Sequence, residues 1–495
     1  MNLAVLLHRG WQEFPNAVAI IQGEVHLTYS QAYQDVERIA AHLFAQGVRP
    51  GHVVGTDLQR PISHWLVLLA LLRIGATSVS LTTQREAEAA ALRDLAFVVQ
   101  SLTDSFAYRS DIGRIDLGRT WLQIPPGCAA DLPEPLVAAQ TAGRICFTSG
   151  TAGKAKAIRL TADLLHARLV ATARRTLIST RSVLWCGLGP DTAYGLTATL
   201  ATWAAGGTVV FSRGGDGAFR TLSDLRVNLI VASPAALATL LRDANSGDLP
   251  GLHCDVIVAG GRLQVGQRDA LLARLCTAVY VAYGASETGG VTLGDAAGLD
   301  HHAGHVGQVF DDVDVRIVDD LGTDQPIGTT GQIRLRSSST VGGYLNDHEA
   351  SQSHFDAGWF VPGDLGQLSA NRALTVVGRP VDILNLGGIK LSATEIDAAA
   401  RDLPGIVDVC AIVLTPETTP QLAVVIVGSL SDPAAFATAL RARLHNLPRM
   451  MIVAATAIPR GSMGKVNRLS IAEAVNAGLN GTQIDPNAYC PLGYY

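Results

Sequence analysis

Four short apolar segments decide the fold: Thr208-Val-Val-Phe211, Leu229-Ile-Val-Ala232, Val256-Ile-Val-Ala259 and Val279-Tyr-Val-Ala282. Each has the composition of a strand that is buried on both faces, and stretches with helical periodicity separate them. Strands that alternate with helices along a chain form parallel sheets that are covered by helices. We therefore predict an α/β fold with mostly parallel sheets.

The same alternation begins upstream. The pattern predicts a helix over residues 30–46, with Ser30 as its cap and Gly47 as its stop, then a strand over 53–56 and a helix over 62–74. From about Val309 the sequence pattern changes to that of strands separated by turns, as in residues 313–322 and 331–339. This part is typical of a more antiparallel, β-barrel-like subdomain.

A third section begins near Val381. There a short strand, a glycine turn and a helix that starts with the capping box Ser392-x-x-Glu395 follow one another, and strands are predicted over 409–414 and 422–427. We predict a large N-terminal domain over 1–380, a small mobile α+β domain over 381–480 and a loose tail over 481–495.

Composition limits the classes of function. Of the 495 residues, 48% are hydrophobic and 16% are charged, which excludes a largely disordered chain. The net charge of −5 and the lack of a basic block argue against a dedicated nucleic-acid binder and favour a small-molecule partner. Seven scattered cysteines without a C-x-x-C pair argue against a zinc ribbon. With no basic leader or long apolar run, we expect a cytoplasmic protein that does not insert into a membrane.

The strongest local motif is Thr148-Ser-Gly-Thr-Ala-Gly-Lys-Ala-Lys156, which follows an apolar segment. Its hydroxyls, glycines and two ammonium groups offer many hydrogen-bond donors to a polyanion. The spacing is not that of a Walker A loop, since only two residues separate Gly150 from Gly153 and no Ser or Thr follows Lys154. We interpret it as a phosphate-binding loop of another class.

This loop resembles the phosphate signature of the adenylate-forming superfamily, which contains acyl- and aryl-CoA synthetases, peptide-synthetase adenylation domains and luciferase. The resemblance continues in the family's order and spans roughly residues 25–470. It rests on Ala259-Gly260-Gly261, Tyr283-Gly-Ala-Ser-Glu-Thr288, residues 331–346, Gly363-Asp364, Gly378-Arg379, Gly387-Gly-Ile-Lys-Leu-Ser392 and residues 459–468.

The resemblance implies a role for each motif. ATP phosphates would contact the loop through Thr148, Ser149, Gly150, Thr151, Gly153, Lys154 and Lys156. The nucleotide would also meet Gly260, Gly261, Tyr283, Gly284, Asp364 and Arg379, with Tyr283 against adenine and Asp364 at the ribose. The catalytic residues would be Lys465, Ser286 at the α-phosphate and Glu287, which would hold Mg²⁺. The thioester step would involve Gly387, Gly388 and Lys390.

Two places depart from the family pattern. The acyl pocket is expected around Asp191, Thr192, Tyr194, Gly195 and Ala259, but the histidine or aromatic gate common in related synthetases is missing there. A buried Asp191 would need a cation, so it is either exposed or recognises one. The hinge position, usually aspartate or lysine, is Val381 here.

The implied reaction has two steps. The carboxylate attacks the α-phosphorus of MgATP, which yields an acyl adenylate and pyrophosphate; a phosphopantetheine thiol then displaces AMP after the small domain turns about its hinge. The segment from Gly387 resembles that of stand-alone CoA ligases, so we favour CoA as acceptor. One alternative is an enzyme that loads an acyl or amino-acyl group onto a carrier protein. A non-catalytic adenylate-binding relative is another, against which Lys465, Glu287 and Asp364 weigh.

Overall fold

A computed structural model gives the fold. It describes residues 11–81, 92–101, 108–118, 132, 142–148, 156–212, 217–245, 251–302, 304–379, 383–386, 389–414, 420–444, 447–459, 466–479 and 489–495. Strands and helices are numbered in chain order over these residues.

The strands are short and mostly buried. Their bounds are β1 Val18–Gln22, β2 Val25–Thr28, β3 Val53–Asp57, β4 Thr77–Ser80, β5 Leu95–Ser101, β6 Gly113–Leu117, β7 Gly143–Thr148, β8 Lys156–Thr161, β9 Val183–Cys186, β10 Thr208–Val210, β11 Leu229–Ala232, β12 Asp255–Val258, β13 Ala278–Ala285, β14 Gly289–Asp295, β15 His305–Gln308, β16 Val313–Val318, β17 Gly331–Ser337, β18 Phe355–Asp356, β19 Trp359–Phe360, β20 Leu365–Leu368, β21 Ala373–Gly378, β22 Ile383–Leu386, β23 Ile389–Ser392, β24 Ile406–Leu414, β25 Gln421–Gly428, β26 Met450–Ala455 and β27 Tyr489–Tyr494.

Helices lie between these strands. Their bounds are α1 Tyr29–Ala45, α2 Pro61–Ile74, α3 Ala162–Arg175, α4 Ala193–Ala204, α5 Ala218–Asp224, α6 Pro234–Asn245, α7 Val265–Arg274, α8 His348–His354, α9 Ala393–Arg401, α10 Pro433–Arg443 and α11 Arg468–Leu479, with a 3₁₀ helix at Ala296–Asp300.

Two large sheets confirm the predicted α/β class. The eight-stranded sheet has the order β14-β13-β12-β11-β9-β10-β1-β2, and its strands from β13 to β1 pair in parallel. The six-stranded sheet has the order β6-β5-β3-β4-β7-β8, in which only the edge strand β8 runs antiparallel to its neighbour. The apolar segments singled out in the sequence become β10 to β13.

Two apolar helices fill the space between these sheets. Helix α2 packs on β3 and β4 of the six-stranded sheet, and α4 packs on β9 and β10 of the eight-stranded sheet. They meet through Trp65 and Trp203, whose rings cross edge to face with centroids 5.3 Å apart. Helices that are apolar on every face are stable only when buried in this way.

The region after Val309 is the more antiparallel part that the sequence predicts. Its seven-stranded sheet has the order β15-β21-β20-β17-β19-β18, and β16 pairs with β17 along their whole length. The described residues up to Pro362, together with Gln367–Thr375, form the larger of two compact units. Gly363–Gly366 and the described residues of Val376–Tyr495 form the smaller one.

The smaller unit is built on a four-stranded sheet of order β24-β25-β26-β27. One face packs on α9 and α10 through residues such as Ile396 and Phe436. The opposite face packs on α11 through Ile471 and Val475. Ser392 caps α9 by accepting a hydrogen bond from the Glu395 amide, as the capping pattern predicts.

Two local predictions are wrong. The cap of α1 is Thr28 and not Ser30, because Thr28 and Gln31 form a reciprocal capping box two residues earlier. The end of the predicted tail is ordered: Tyr489–Tyr494 forms β27, which pairs antiparallel with β26. The amide of Met450 and the carbonyl of Tyr495 extend this pairing with a hydrogen bond of 2.7 Å.

Among the described residues, no helix combines the length and the apolar character that crossing a membrane requires.

Candidate active site

The phosphate loop connects two antiparallel strands. Thr148 ends β7, Lys156 begins β8, and the two residues are directly paired. The rest of the motif, including Ser149, Gly150, Thr151, Gly153 and Lys154, lies outside the described residues. The pairing of Thr148 with Lys156 therefore fixes where the loop leaves and re-enters the six-stranded sheet.

Lys156 is held at the base of that loop. Its Nζ lies 2.9 Å from Nε2 of His354 and 5.0 Å from the centroid of the Tyr344 ring. Strand β8 brings these groups together, because the amide of Leu345 donates to the Ala157 carbonyl at 2.7 Å. The ammonium therefore has a nitrogen acceptor on one side and an aromatic face on another.

Tyr344 also reaches the candidate magnesium residue. Its hydroxyl donates to Oε1 of Glu287 at 2.8 Å, and only 6% of Glu287 is exposed. Glu287 lies in the turn between β13 and β14, in the eight-stranded sheet. One tyrosine thus links the closing residue of the phosphate loop to a buried carboxylate from the other large sheet.

Backbone constraints shape the turn that carries Glu287. A side chain at Gly284 would lie closer to the Gly289 carbonyl oxygen than atoms approach in proteins, so the hairpin requires glycine there. Tyr283 and Ser286 are both half-buried. The Val341 amide donates to the Glu287 carbonyl at 2.8 Å, which ties the turn to the segment after β17.

A buried arginine that the sequence analysis missed holds the same turn. The guanidinium of Arg168, in α3, donates to the carbonyls of Ser286 at 2.7 Å, Glu287 at 3.2 Å and Ser339 at 2.8 Å. Burial lowers the pKa of Arg168 to about 10, an effect that the nearby Cys146 and Glu287 oppose. The side chain stays cationic at neutral pH. It holds the carbonyls of Ser286 and Glu287, and so fixes the backbone that carries the Glu287 carboxylate.

Glu287 is a buried carboxylate, which is the kind of protein ligand that a magnesium–nucleotide complex uses. Among the described residues, no three His, Cys, Asp or Glu side chains are grouped to hold a metal ion. Mg²⁺ in nucleotide sites is commonly held by one or two carboxylates, with phosphate oxygens and water completing its shell. Glu287 would be such a carboxylate.

Asp364 and Arg379 form an ion pair in the smaller unit. The Nε of Arg379 donates to Oδ1 of Asp364 at 2.6 Å, and Asp364 is 7% exposed. Asp364 follows Gly363, whose φ of 76° is easily adopted only by glycine. The structure therefore places these two predicted ribose contacts side by side.

Four of the five predicted acyl-pocket residues, Asp191, Thr192, Tyr194 and Gly195, lie at the start of α4. Thr192 caps this helix by accepting from the Gly195 amide at 3.1 Å, and it donates to the Gly189 carbonyl. A side chain at Gly195 would lie 2.6 Å from the Gly189 oxygen, so glycine is required. Tyr194 is half-buried and Ala259, at the end of β12, is buried.

Asp191 follows Pro190, whose carbonyl accepts a hydrogen bond from the buried Arg144 at 2.7 Å. Burial raises the pKa of this half-buried carboxyl, and the field of Arg144 opposes the rise. Arg144 lies in the core, where its guanidinium donates to Ser78, Ser80 and the carbonyl of Pro190. The nearby guanidinium therefore offsets part of the cost of removing this carboxylate from water.

Two glycines that are predicted to contact the nucleotide follow β12. Gly260 has a φ of 80°, and a side chain at Gly261 would lie 3.1 Å from Pro234. The backbone of Lys390 belongs to β23, opposite Asn385. Four further residues with predicted roles lie outside the described residues: Val381, Gly387, Gly388 and Lys465.

Comparison with known proteins identifies the class. The family model of AMP-binding enzymes matches residues 7–345, so the chain belongs to that family and to the adenylate-forming superfamily. The chain is 26% identical to the indoleacetate–CoA ligase of Aromatoleum aromaticum over 490 residues, which cover 93% of this chain and 96% of that one.

Two further relatives show the breadth of the similarity. The phosphinothricin tripeptide synthetase PhsC of Streptomyces viridochromogenes is 26% identical over 508 residues, which are 95% of this chain and 45% of PhsC. The crystal structure of ATP-bound MatB from Rhodopseudomonas palustris has the same fold, with a TM-score of 0.80 at 22% identity, over 96% of this chain and 99% of MatB.

Proposed function

We propose that the protein activates a carboxylic acid with MgATP to give an acyl adenylate and pyrophosphate, and then forms a thioester with CoA. The observation that carries the first step is the linked set Glu287–Tyr344–Lys156, which puts a buried carboxylate and an ammonium around one tyrosine at the base of the phosphate loop. A carboxylate for Mg²⁺ and a cation for phosphate oxygens are the charges that nucleotidyl transfer needs.

The other residues are assigned the roles that the similarity to the adenylate-forming superfamily implies. Lys465 would supply the cation at the reacting carboxylate and the α-phosphate, where negative charge builds up as the two anions meet. Ser286 would contact the α-phosphate, and Asp364 with Arg379 would bind the ribose. A bound Mg²⁺ would neutralise charge on the phosphates while Glu287 held it. Gly387, Gly388 and Lys390 would serve the thioester step after a rotation about Val381.

The acceptor is proposed as CoA because several relatives carry CoA ligase or CoA synthase in their names, including the indoleacetate enzyme. Loading of a carrier protein is the second candidate, and the similarity to a tripeptide synthetase favours it.

The test is an exchange of labelled pyrophosphate into ATP over a panel of aryl, fatty and amino acids. Acid-dependent exchange is expected for at least one class, and its absence across the panel would contradict the adenylation step. Mass spectrometry of the products with CoA, and separately with a phosphopantetheinylated carrier protein, then decides between the two acceptors.

A further inference from the structure

His354 is the nitrogen acceptor that holds the Lys156 ammonium, and nothing in the motif pattern singles it out. It ends α8, a short helix 198 residues further along the chain. Its Nδ1 lies 2.9 Å from the carbonyl oxygen of Val361. A carbonyl only accepts, so Nδ1 must carry the hydrogen, and in the neutral ring Nε2 then presents its lone pair to Lys156.

Helix α8 fixes both neighbours of the ammonium. Ser351, one turn before His354, accepts from the backbone amide of Tyr344 at 2.9 Å. The rings of Tyr344 and His354 meet edge to face with centroids 5.9 Å apart. His354 also stacks on Phe360 at 6.3 Å. The same short helix therefore positions both the acceptor and the aromatic face.

We propose that His354 is a positioning residue: it restricts the long Lys156 side chain to the orientation in which the ammonium meets the phosphates of MgATP. This inference rests on the proposed function, in which Lys156 contacts those phosphates. A flexible side chain loses conformational freedom when it is fixed, and this loss opposes ligand binding. A pre-ordered ammonium has already lost that freedom before the nucleotide arrives, so binding is tighter.

The experiment measures binding of the magnesium complex of a non-cleavable α,β-methylene ATP to the full chain by calorimetry. In His354→Phe the ring and its packing remain while the acceptor is lost, and in His354→Gln the side-chain amide oxygen can still accept. His348→Phe is the matched control, since His348 is an exposed histidine on the same helix.

We expect His354→Phe to raise the Kd by about tenfold, which corresponds to about 1.4 kcal/mol. His354→Gln should recover most of the affinity, and His348→Phe should leave it unchanged. Because His354 acts through Lys156, the double variant with Lys156→Met should bind no more weakly than Lys156→Met alone. A merely structural role for His354 would instead weaken the double variant further.

Three results would overturn the inference: an unchanged or lower Kd in His354→Phe, additive effects in the double variant, or no binding of the nucleotide by the unaltered protein. The proposed function fails by a different observation. If the protein binds the analogue but activates no acid in the exchange assay, the ligase assignment is wrong, and the comparison of variants still decides the role of His354.

Discussion

Breaking the buried ion pair between Asp397 and Arg468 should destabilise the smaller unit severely. Arg468 begins α11, three residues after Lys465, and its guanidinium donates to Oδ2 of Asp397 at 2.7 Å and to the Ala411 carbonyl at 3.0 Å. Asp397 lies in α9, directly after the β22–β23 hairpin that contains Lys390, and its Oδ1 accepts from the Ala411 amide. The pair therefore joins α11, which begins three residues after Lys465, to α9, which follows the strand that contains Lys390.

The size of the expected loss of stability follows from how deeply Arg468 and Asp397 are buried. The side chains of Arg468 and Asp397 are 13% and 9% exposed, whereas those of Arg443 and Asp402, which lie 3.9 Å apart in the same unit, are 41% and 76% exposed. Removing one partner of a buried pair costs about 3–5 kcal/mol, while an exposed pair contributes about 0–1 kcal/mol. Arg468→Met should thus be far more disruptive than Arg443→Met.

The assay is hydrogen exchange of the full chain, read on peptides from β24 and β25. The five tryptophans among the described residues lie outside the smaller unit, so their fluorescence would report on the larger one. A loss of about 3–5 kcal/mol corresponds to a fall in protection of roughly 140- to 4,000-fold. Protection in Arg468→Met that matches Arg443→Met would refute the reasoning.

The pH dependence of this variant has a defined sign. Burial already raises the pKa of Asp397, and Arg468 is the main opposing influence. Without Arg468 the pKa in the folded protein rises further above the value in the unfolded chain, so stability is lost as the pH rises through the folded pKa. The loss of stability in Arg468→Met, relative to the unaltered protein, should therefore be smaller at acid pH. Adding Asp397→Asn to Arg468→Met should recover part of the protection, because the uncompensated charge is removed.

Three shorter predictions concern the site. Glu287→Gln should lower acyl-adenylate formation by about 100-fold or more, since the metal loses its carboxylate; a rate that is unaltered at limiting Mg²⁺ would contradict the role. Lys465→Met should lower the same rate by roughly 10²- to 10³-fold while nucleotide affinity changes little, and calorimetry checks the second part. Arg168→Lys should destabilise the larger unit by about 2–3 kcal/mol, because one ammonium cannot serve three carbonyls; urea unfolding followed by tryptophan fluorescence measures this, with exposed Arg242→Lys as control.

Local patterns predict most of the secondary structure because the relevant forces are local. Residues 229–232 form a strand with the predicted bounds. A short run of branched apolar residues between turns is favourable as a strand that is buried on both faces. The cap of α1 is harder to predict, because Thr28 and Ser30 are both suitable hydroxyl residues and only Gln31, three residues after Thr28, closes the reciprocal box.

What the sequence does not reveal depends on distant contacts. Strand β27 contains Pro491 and Gly493, which locally disfavour a strand, and it forms by pairing with the edge of β26. Arg168 is 118 residues from the Ser286 carbonyl that it holds, and His354 is 198 residues from Lys156. No periodicity or spacing along the chain marks pairs that only the tertiary fold brings together.

Arginine and lysine occupy different kinds of environment in this protein. Arginine supplies 34 of the 38 basic residues, and Arg144, Arg168 and Arg468 each direct a planar fork at several oxygen acceptors in the interior. Lys156 has a different environment, with one ring nitrogen and one aromatic face. A fork needs acceptors in fixed directions, whereas a compact ammonium with three donors can keep the ring nitrogen as one acceptor and add a phosphate oxygen as another. At Lys156, arginine would therefore not be a conservative replacement, although both side chains carry the same charge.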